Sequence, residues 1–182
     1  MRELDAENKS TKWGNAICAE ARDLLGYEVF THPTTNTDWG KYQYIQMIWA
    51  FDMKFDGRHK ARVCMLDCRN EGDVYAGFVL QDMIHMCMGI AMMSGLQIFA
   101  ADVSSAYLNA DTREYAYTIL DAEFGDGWAG KKVLFKKACY GLPHSSSAWH
   151  THLSQVLLNL GFLLSNTAPP CLNVKDSCII YN

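Results

Sequence analysis

The chain has 182 residues, 49% of them apolar and 20% charged, with a net charge of −4 and a pI of about 5.8. That is material for one domain with a real core; it excludes a mainly disordered chain and a protein that coats itself in nucleic acid through bulk charge. Seven cysteines without a Cys-x-x-Cys pair exclude a disulfide framework, and no apolar stretch is long enough for a signal peptide or a membrane span, so an intracellular location, cytoplasm or nucleus, is expected.

The periodicity of Trp13, Ala16, Ile17, Ala21 and Leu24 predicts a helix over residues 11–25, with Thr11 as cap and Gly26 as stop. Residues 31–43 read as a loop. Trp49, Phe51, Met53 and Phe55 then alternate with polar or small residues, as do Ala61, Val63 and Met65 after Asp56-Gly57. Both arms are strands with one apolar face. A two-residue Asp-Gly turn sets Phe51 opposite Arg62 and mixes the faces. A register shift of one, through an odd loop or bulge at 56–58, sets Phe51 opposite Val63 and Asp52 opposite Arg62. Lys54, Lys60 and Arg62 then share the polar face.

Residues 78–94 are apolar nearly all round and predict a buried helix, its methionines filling core. Residues 96–103 read as a buried strand that ends in Asp102. Strands are expected at 114–119 and 132–138. A second amphipathic helix carries Trp149, Leu153, Val156, Leu157 and Leu160, capped by the serines 145–147 and stopped by Gly161. Residues 178–181 read as the start of a strand. The order gives an α+β domain with a mainly antiparallel sheet.

Eight of the sixteen Lys and Arg fall in two windows, Lys54 to Arg62 and Lys131 to Lys137. They are either two solvated strand faces or two phosphate-facing surfaces. Asp102, at the end of an apolar strand, either caps the following turn or ligates a metal; Mg²⁺ takes such oxygen donors together with substrate phosphates. His59, Cys64 and Cys68 fit no compact zinc spacing. No Gly-x-Ser-x-Gly elbow, Gly-x-Gly-x-x-Gly turn or Walker loop is present.

Three segments together resemble Ty1/copia-type retrotransposon reverse transcriptases. Residues 51–63, Phe-Asp-Met-Lys-Phe-Asp-Gly-Arg-His-Lys-Ala-Arg-Val, resemble that family's V-K-x-D-G-x-x-K-A-R-L-V hairpin. Residues 102–109, Asp-Val-Ser-Ser-Ala-Tyr-Leu-Asn, resemble D-V-x-x-A-F/Y-L-N. Residues 138–149, Ala-Cys-Tyr-Gly-Leu-Pro-His-Ser-Ser-Ser-Ala-Trp, resemble A-L-Y-G-L-K-Q-x-x-R-x-W. Their order and spacing agree, as do Trp13, Ala16 and Glu20 and the Leu-Gly-Phe at 160–162.

The resemblance implies a right-hand polymerase, with fingers over about 1–95 and a partial palm over about 96–182. It implies RNA- or DNA-templated DNA synthesis with Mg²⁺, dNTPs and a primer–template as partners. Asp102 takes the place of the first catalytic, metal-binding palm aspartate. Lys60 and Arg62 match the fingers cations that hold the triphosphate. Val103 and Ser104 offer backbone amides to it, and Tyr107 matches the residue under the sugar. Pro143 and His144 stand on the template side.

This sequence also departs from the family. Cys139 and His144 replace the usual Leu and Gln, and Ala-Pro-Pro-Cys at 168–171 breaks a further motif. The sequence stops at Tyr181-Asn182, at or just before the position of the Tyr-x-Asp-Asp pair. One carboxylate does not replace three, so these residues alone are expected to be inactive. The alternatives are a non-enzymatic nucleotide or nucleic-acid binder, or a structural α+β subunit that associates through an open sheet edge at 178–182.

Overall fold

The computed structural model describes residues 2–7, 9–66, 81–164, 172–175 and 178–181. The order of elements is α1 (Arg2–Glu7), α2 (Lys12–Gly26), β1 (Phe30–Thr31), β2 (Gln43–Tyr44), β3 (Gln46–Met53), β4 (His59–Leu66), α3 (Gln81–Met93), β5 (Ala116–Ile119), β6 (Lys132–Phe135), α4 (Ser145–Asn159), β7 (Leu163–Leu164), β8 (Leu172–Lys175) and β9 (Cys178–Tyr181). The fold is α+β. Among the described residues three sheets form, in the orders β1-β6-β5-β2, β3-β4 and β7-β8-β9. Every pairing among the named strands is antiparallel except β2 with β5. No helix of the described residues is long and apolar enough to cross a membrane.

Helix α2 forms where the periodicity places it and buries Ile17, Ala21 and Leu24. Burying Ile17 and Leu24 contributes about 2 kcal/mol each. Its start differs from expectation: Thr11 makes no side-chain cap bond. The Asp5 carboxylate, brought over by α1, accepts the N–H groups of Trp13 at 3.2 Å and Gly14 at 2.8 Å instead. Its end differs too. Gly26 is still helical, and Glu28 takes the left-handed conformation at φ 52. The N–H of Val29 bonds Leu24 O and that of Glu28 bonds Leu25 O, closing a Schellman motif over two buried apolar residues.

The core lies where α2, the β3–β4 ribbon and the four-stranded sheet meet. Val29, Ile45, Val63, Met65, Leu108, Ala116, Leu120, Val133 and Cys139 are buried there. Trp13 seals one end, edge-on to Phe51 at 5.4 Å and to His59 at 4.4 Å.

The ribbon has the expected one-residue shift, but in the opposite direction. Phe51 pairs with Ala61, Ala50 with Arg62 and Asp52 with Lys60. The loop is odd, as expected, yet it is residues 55–57: Gly57 N–H bonds Lys54 O, and Lys54 N–H bonds Arg58 O. Gly57 sits at φ +79, the third position of such a loop, where glycine fits best. That requirement draws the loop back one residue. The face assignment survives: Asp52, Lys54, Lys60 and Arg62 lie on one side.

Two expectations fail between residues 81 and 103. Helix α3 forms, but it buries none of its residues: Met86, Met88, Ile90, Met92 and Met93 are exposed, and Met83, Ile84 and Ala91 are only half-buried. Phe78, Val79 and Leu80 of the expected helix lie outside the described residues. Residues 96–103 form no strand, and Ile98, Phe99 and Val103 are exposed. A buried strand takes its hydrogen bonds from neighbours on each side, and among the described residues no strand lies alongside.

Helix α4 also starts without the expected serine cap. Ser145 turns inward, donating to Cys139 O at 2.6 Å and accepting from Cys139 N–H at 3.1 Å, while Ser147 donates to His144 O. Its stop holds. Gly161, at φ +86, closes a Schellman motif in which Phe162 N–H bonds Leu157 O. Strand β9 forms at the expected place, as an edge of its sheet among the described residues; Asn182 lies outside them.

Candidate nucleotide-binding cleft

Strand β4 leaves its outer edge to be satisfied by other elements. Val63 N–H bonds Glu20 Oε1 of α2 at 3.2 Å, and Met65 N–H bonds Tyr140 O at 2.8 Å. Those two contacts bring α2 and the residue 138–142 turn alongside the ribbon. A cleft opens between them, lined by Glu20, Asp23, Lys60, Arg62, Ser105 and Tyr140, with Cys139 at its floor. Lys60 and Arg62 alternate with buried Ala61 and Val63, so the strand period itself points both cations to the cleft side. Elsewhere on the ribbon, Lys54 pairs with Asp52 at 3.2 Å and Arg58 with Asp56 at 2.7 Å. Among the described residues Lys60 and Arg62 make no such ion pair.

The second basic window behaves differently. Lys136 pairs with Glu28 at 2.6 Å and Lys137 with Asp111 at 2.8 Å. Lys131 donates to Gly127 O, and Lys132 lies over Trp39 and Tyr117. Lys131, Lys136 and Lys137 are thus engaged within the chain, and Lys132 stands beside aromatic rings.

The segment after Asp102 faces the ribbon through Ser105, which is left-handed at φ 52, and Leu108. Asp102, Val103 and Ser104 precede it on an exposed stretch and do not line the cleft. Tyr107 is partly buried; its hydroxyl is 3.0 Å from Ser146 Oγ and its ring meets Tyr140 edge-on at 4.9 Å. Pro143 and His144 lie in a separate hollow with Lys41, Gln43, Arg113, Glu114 and Tyr115. There the His144 ring nitrogen and backbone N–H both contact Glu114 Oε1, at 2.6 and 3.1 Å.

Among the described residues no group of three or more His, Cys, Asp or Glu is placed to hold a metal ion. Asp102 is exposed and, among the described residues, belongs to no such group, nor do His59 and Cys64; Cys68 lies outside the described residues. Burial pushes the Cys139 thiol far up, with Glu20 adding to it, so this cysteine is inert packing.

Glu20 is the cleft residue that composition and spacing did not single out for chemistry. Burial raises its carboxyl above the ordinary 4.5, against the opposing pull of Val63 N–H and Lys60. The folded chain therefore holds this proton more tightly than the unfolded chain. The stabilisation it lends is complete below pH 4.5 and fades as pH climbs through the raised value. Against Glu20→Gln, the wild type is expected to lose relative stability over that rise and then level off. Urea midpoints across a pH series check this; a constant difference contradicts it.

Residues 28–175 match the family described as reverse transcriptase (RNA-dependent DNA polymerase), and the chain belongs to that family. It is of the Ty1/copia type. The Transposon Ty1-BL and Ty1-DR4 Gag-Pol polyproteins of Saccharomyces cerevisiae are each 29% identical to it over 119 residues, 63% of this chain and 7% of theirs. The chain thus spans a small part of the length of these relatives. No solved structure matches.

Proposed function

We propose that these residues form the nucleotide-gripping part of a right-hand polymerase, with fingers over about 1–95 and the first part of a palm from about 96. In this reading Lys60 and Arg62 hold the triphosphate of a dNTP, Arg by paired hydrogen bonds and Lys by charge. The backbone that follows Asp102 meets the same phosphates at Ser105, the residue through which it borders the cleft, with the Val103 and Ser104 amides leading up to it. Tyr107, braced by Ser146 and Tyr140, lies beneath the sugar. Pro143 and His144 face the template strand of an RNA or DNA primer–template. The observation that carries this reading is the cleft in which two ribbon cations, Lys60 and Arg62, face Ser105 of the Asp102 segment.

Reverse transcriptases use divalent metal ions, and Asp102 takes the position of one of their ligands. The sequence contains no Tyr-x-Asp-Asp tetrapeptide. A polypeptide of these 182 residues is therefore expected to bind dNTP without extending a primer, because charge developing at the reacting phosphorus meets too few fixed groups. A primed homopolymer extension assay with Mg²⁺ or Mn²⁺ tests this. No incorporation is expected. Incorporation that disappears in Asp102→Ala overturns the claim of inactivity and establishes Asp102 as catalytic.

A further inference from the structure

One face of the sheet β1-β6-β5-β2 builds core; the other carries a run of aromatic rings. Strand alternation buries Ala116 and Thr118 and turns Tyr115 and Tyr117 to the opposite side. The parallel pairing of Tyr44 with Tyr117 extends the row across strands. Centroids lie 5.7 Å apart for Tyr42 and Tyr115, 5.6 Å for Tyr44 and Tyr117, and 5.0 Å for Trp39 and Tyr117. Lys132 Nζ stands 5.4 Å from the Trp39 ring and 5.7 Å from the Tyr117 ring. The rings are not sealed away: Trp39 is 39% exposed, Tyr44 49% and Tyr115 67%.

We infer that this face is a stacking platform for single-stranded nucleic acid, outside the dNTP cleft. Bases have apolar faces that stack on such rings whatever their sequence, and surfaces that bind single strands combine stacking with positive charge along the backbone. Lys132 supplies one cation among the rings. Tyr115 also borders the hollow that holds Lys41, Arg113 and His144, so basic groups continue from one end of the aromatic row. Two carboxylates lie nearby, and both are engaged: Asp38 accepts Gly40 N–H and lies 3.8 Å from Lys41, and Glu114 bonds His144. A face of exposed rings with cations at its centre and end suits a polyanion with stacking bases better than a second apolar surface. The choice of nucleic acid as occupant rests on the polymerase reading.

The test is fluorescence anisotropy of labelled single-stranded dT12 and rU12, titrated with the whole chain at two salt concentrations. Tyr44→Ala and Tyr115→Ala are each expected to weaken binding about tenfold. Tyr44→Phe, which keeps the ring, retains it. Both tyrosines are exposed, so the variants should melt like the wild type. Arg62→Ala is expected to spare oligonucleotide binding while lowering dNTP binding, which separates the two surfaces. Unchanged affinity in both alanine variants overturns the platform. So does concentration-dependent self-association in sedimentation that Tyr115→Ala abolishes and oligonucleotide does not displace, since the face then joins two copies of the chain. Oligonucleotide binding lost in the tyrosine variants with no dNTP binding by the wild type keeps the platform and removes the cleft reading.

Discussion

Gly141→Ala is expected to unfold the chain. Gly141 passes directly beneath the backbone of β4, next to the hydrogen bond from Met65 N–H to Tyr140 O. A Cβ built there collides with Met65 O and falls 2.8 Å from its nitrogen and 2.9 Å from its carbonyl carbon. These are backbone atoms, so no rotamer change relieves the clash. The residue also sits at φ +89, which costs an alanine about 1 kcal/mol by itself. The sum belongs with the rare substitutions that exceed about 4 kcal/mol, a large share of a domain's whole stability. Gly95→Ala is the control: it ends α3 in the left-handed conformation at φ +66, but nothing lies within 4 Å of the added methyl, so about 1 kcal/mol is expected. Urea melts followed by far-UV circular dichroism compare the two. Equal midpoints for both variants contradict the close approach.

Arg62→Ala is expected to lower dNTP affinity about tenfold to a hundredfold, the size of a lost charge-assisted contact. Lys60→Ala should lower it less, because a single ammonium replaces no paired guanidinium geometry. Arg62→Lys should recover part of the loss. Arg62 is partly exposed and anchored in a paired strand whose buried neighbours Ala61 and Val63 carry the packing, so the fold should survive. Titration calorimetry with a dNTP in the presence of Mg²⁺ reads all three variants. Arg58→Ala, on the same ribbon but paired with Asp56, serves as the reference that should change little. If Arg58→Ala and Arg62→Ala weaken binding equally, the effect is general charge and not a site.

The parts of this fold that were legible in the sequence are those set by local spacing. The two arms of the ribbon show their faces by alternation, and the polar side came out as Lys54, Lys60 and Arg62 even though the partners were displaced by two positions. That displacement comes from Gly57, whose left-handed geometry fixes where the loop must sit. Gly161 was legible as a helix stop because it lies at the left-handed position; Gly26 was not, because α2 runs one turn element further and Glu28 takes that position. Caps made across elements leave no spacing to read: Asp5 serves α2, and Ser145 serves Cys139. The exposed residues of α3 and of 96–103 show the other limit. Their composition gives the tendency to be buried and says nothing of what lies against them.

The candidate site divides in the same way. Lys60 and Arg62 followed from strand period and from the motif they belong to. Glu20 and Tyr140 reached the cleft through hydrogen bonds to the edge of β4, which residue periodicity does not announce, although Glu20 stands among the residues that agree with the family's opening segment. Tyr140 and Gly141 did have a signal, since both stand in a segment resembling the family's Tyr-Gly-Leu motif. Its physical meaning is the close crossing at Met65. The aromatic face had one too: Tyr42 and Tyr44, and Tyr115 and Tyr117, recur at strand spacing.

Photo-crosslinking with an azido-substituted dNTP, followed by peptide mapping, bears most directly on whether one pocket joins the cationic ribbon to the loop that follows Asp102. The expected result is label on peptides from both His59–Leu66 and residues 102–108, competed by unmodified dNTP and reduced in Arg62→Ala. Label confined to peptides outside these two segments, or insensitive to both competitor and substitution, contradicts the account.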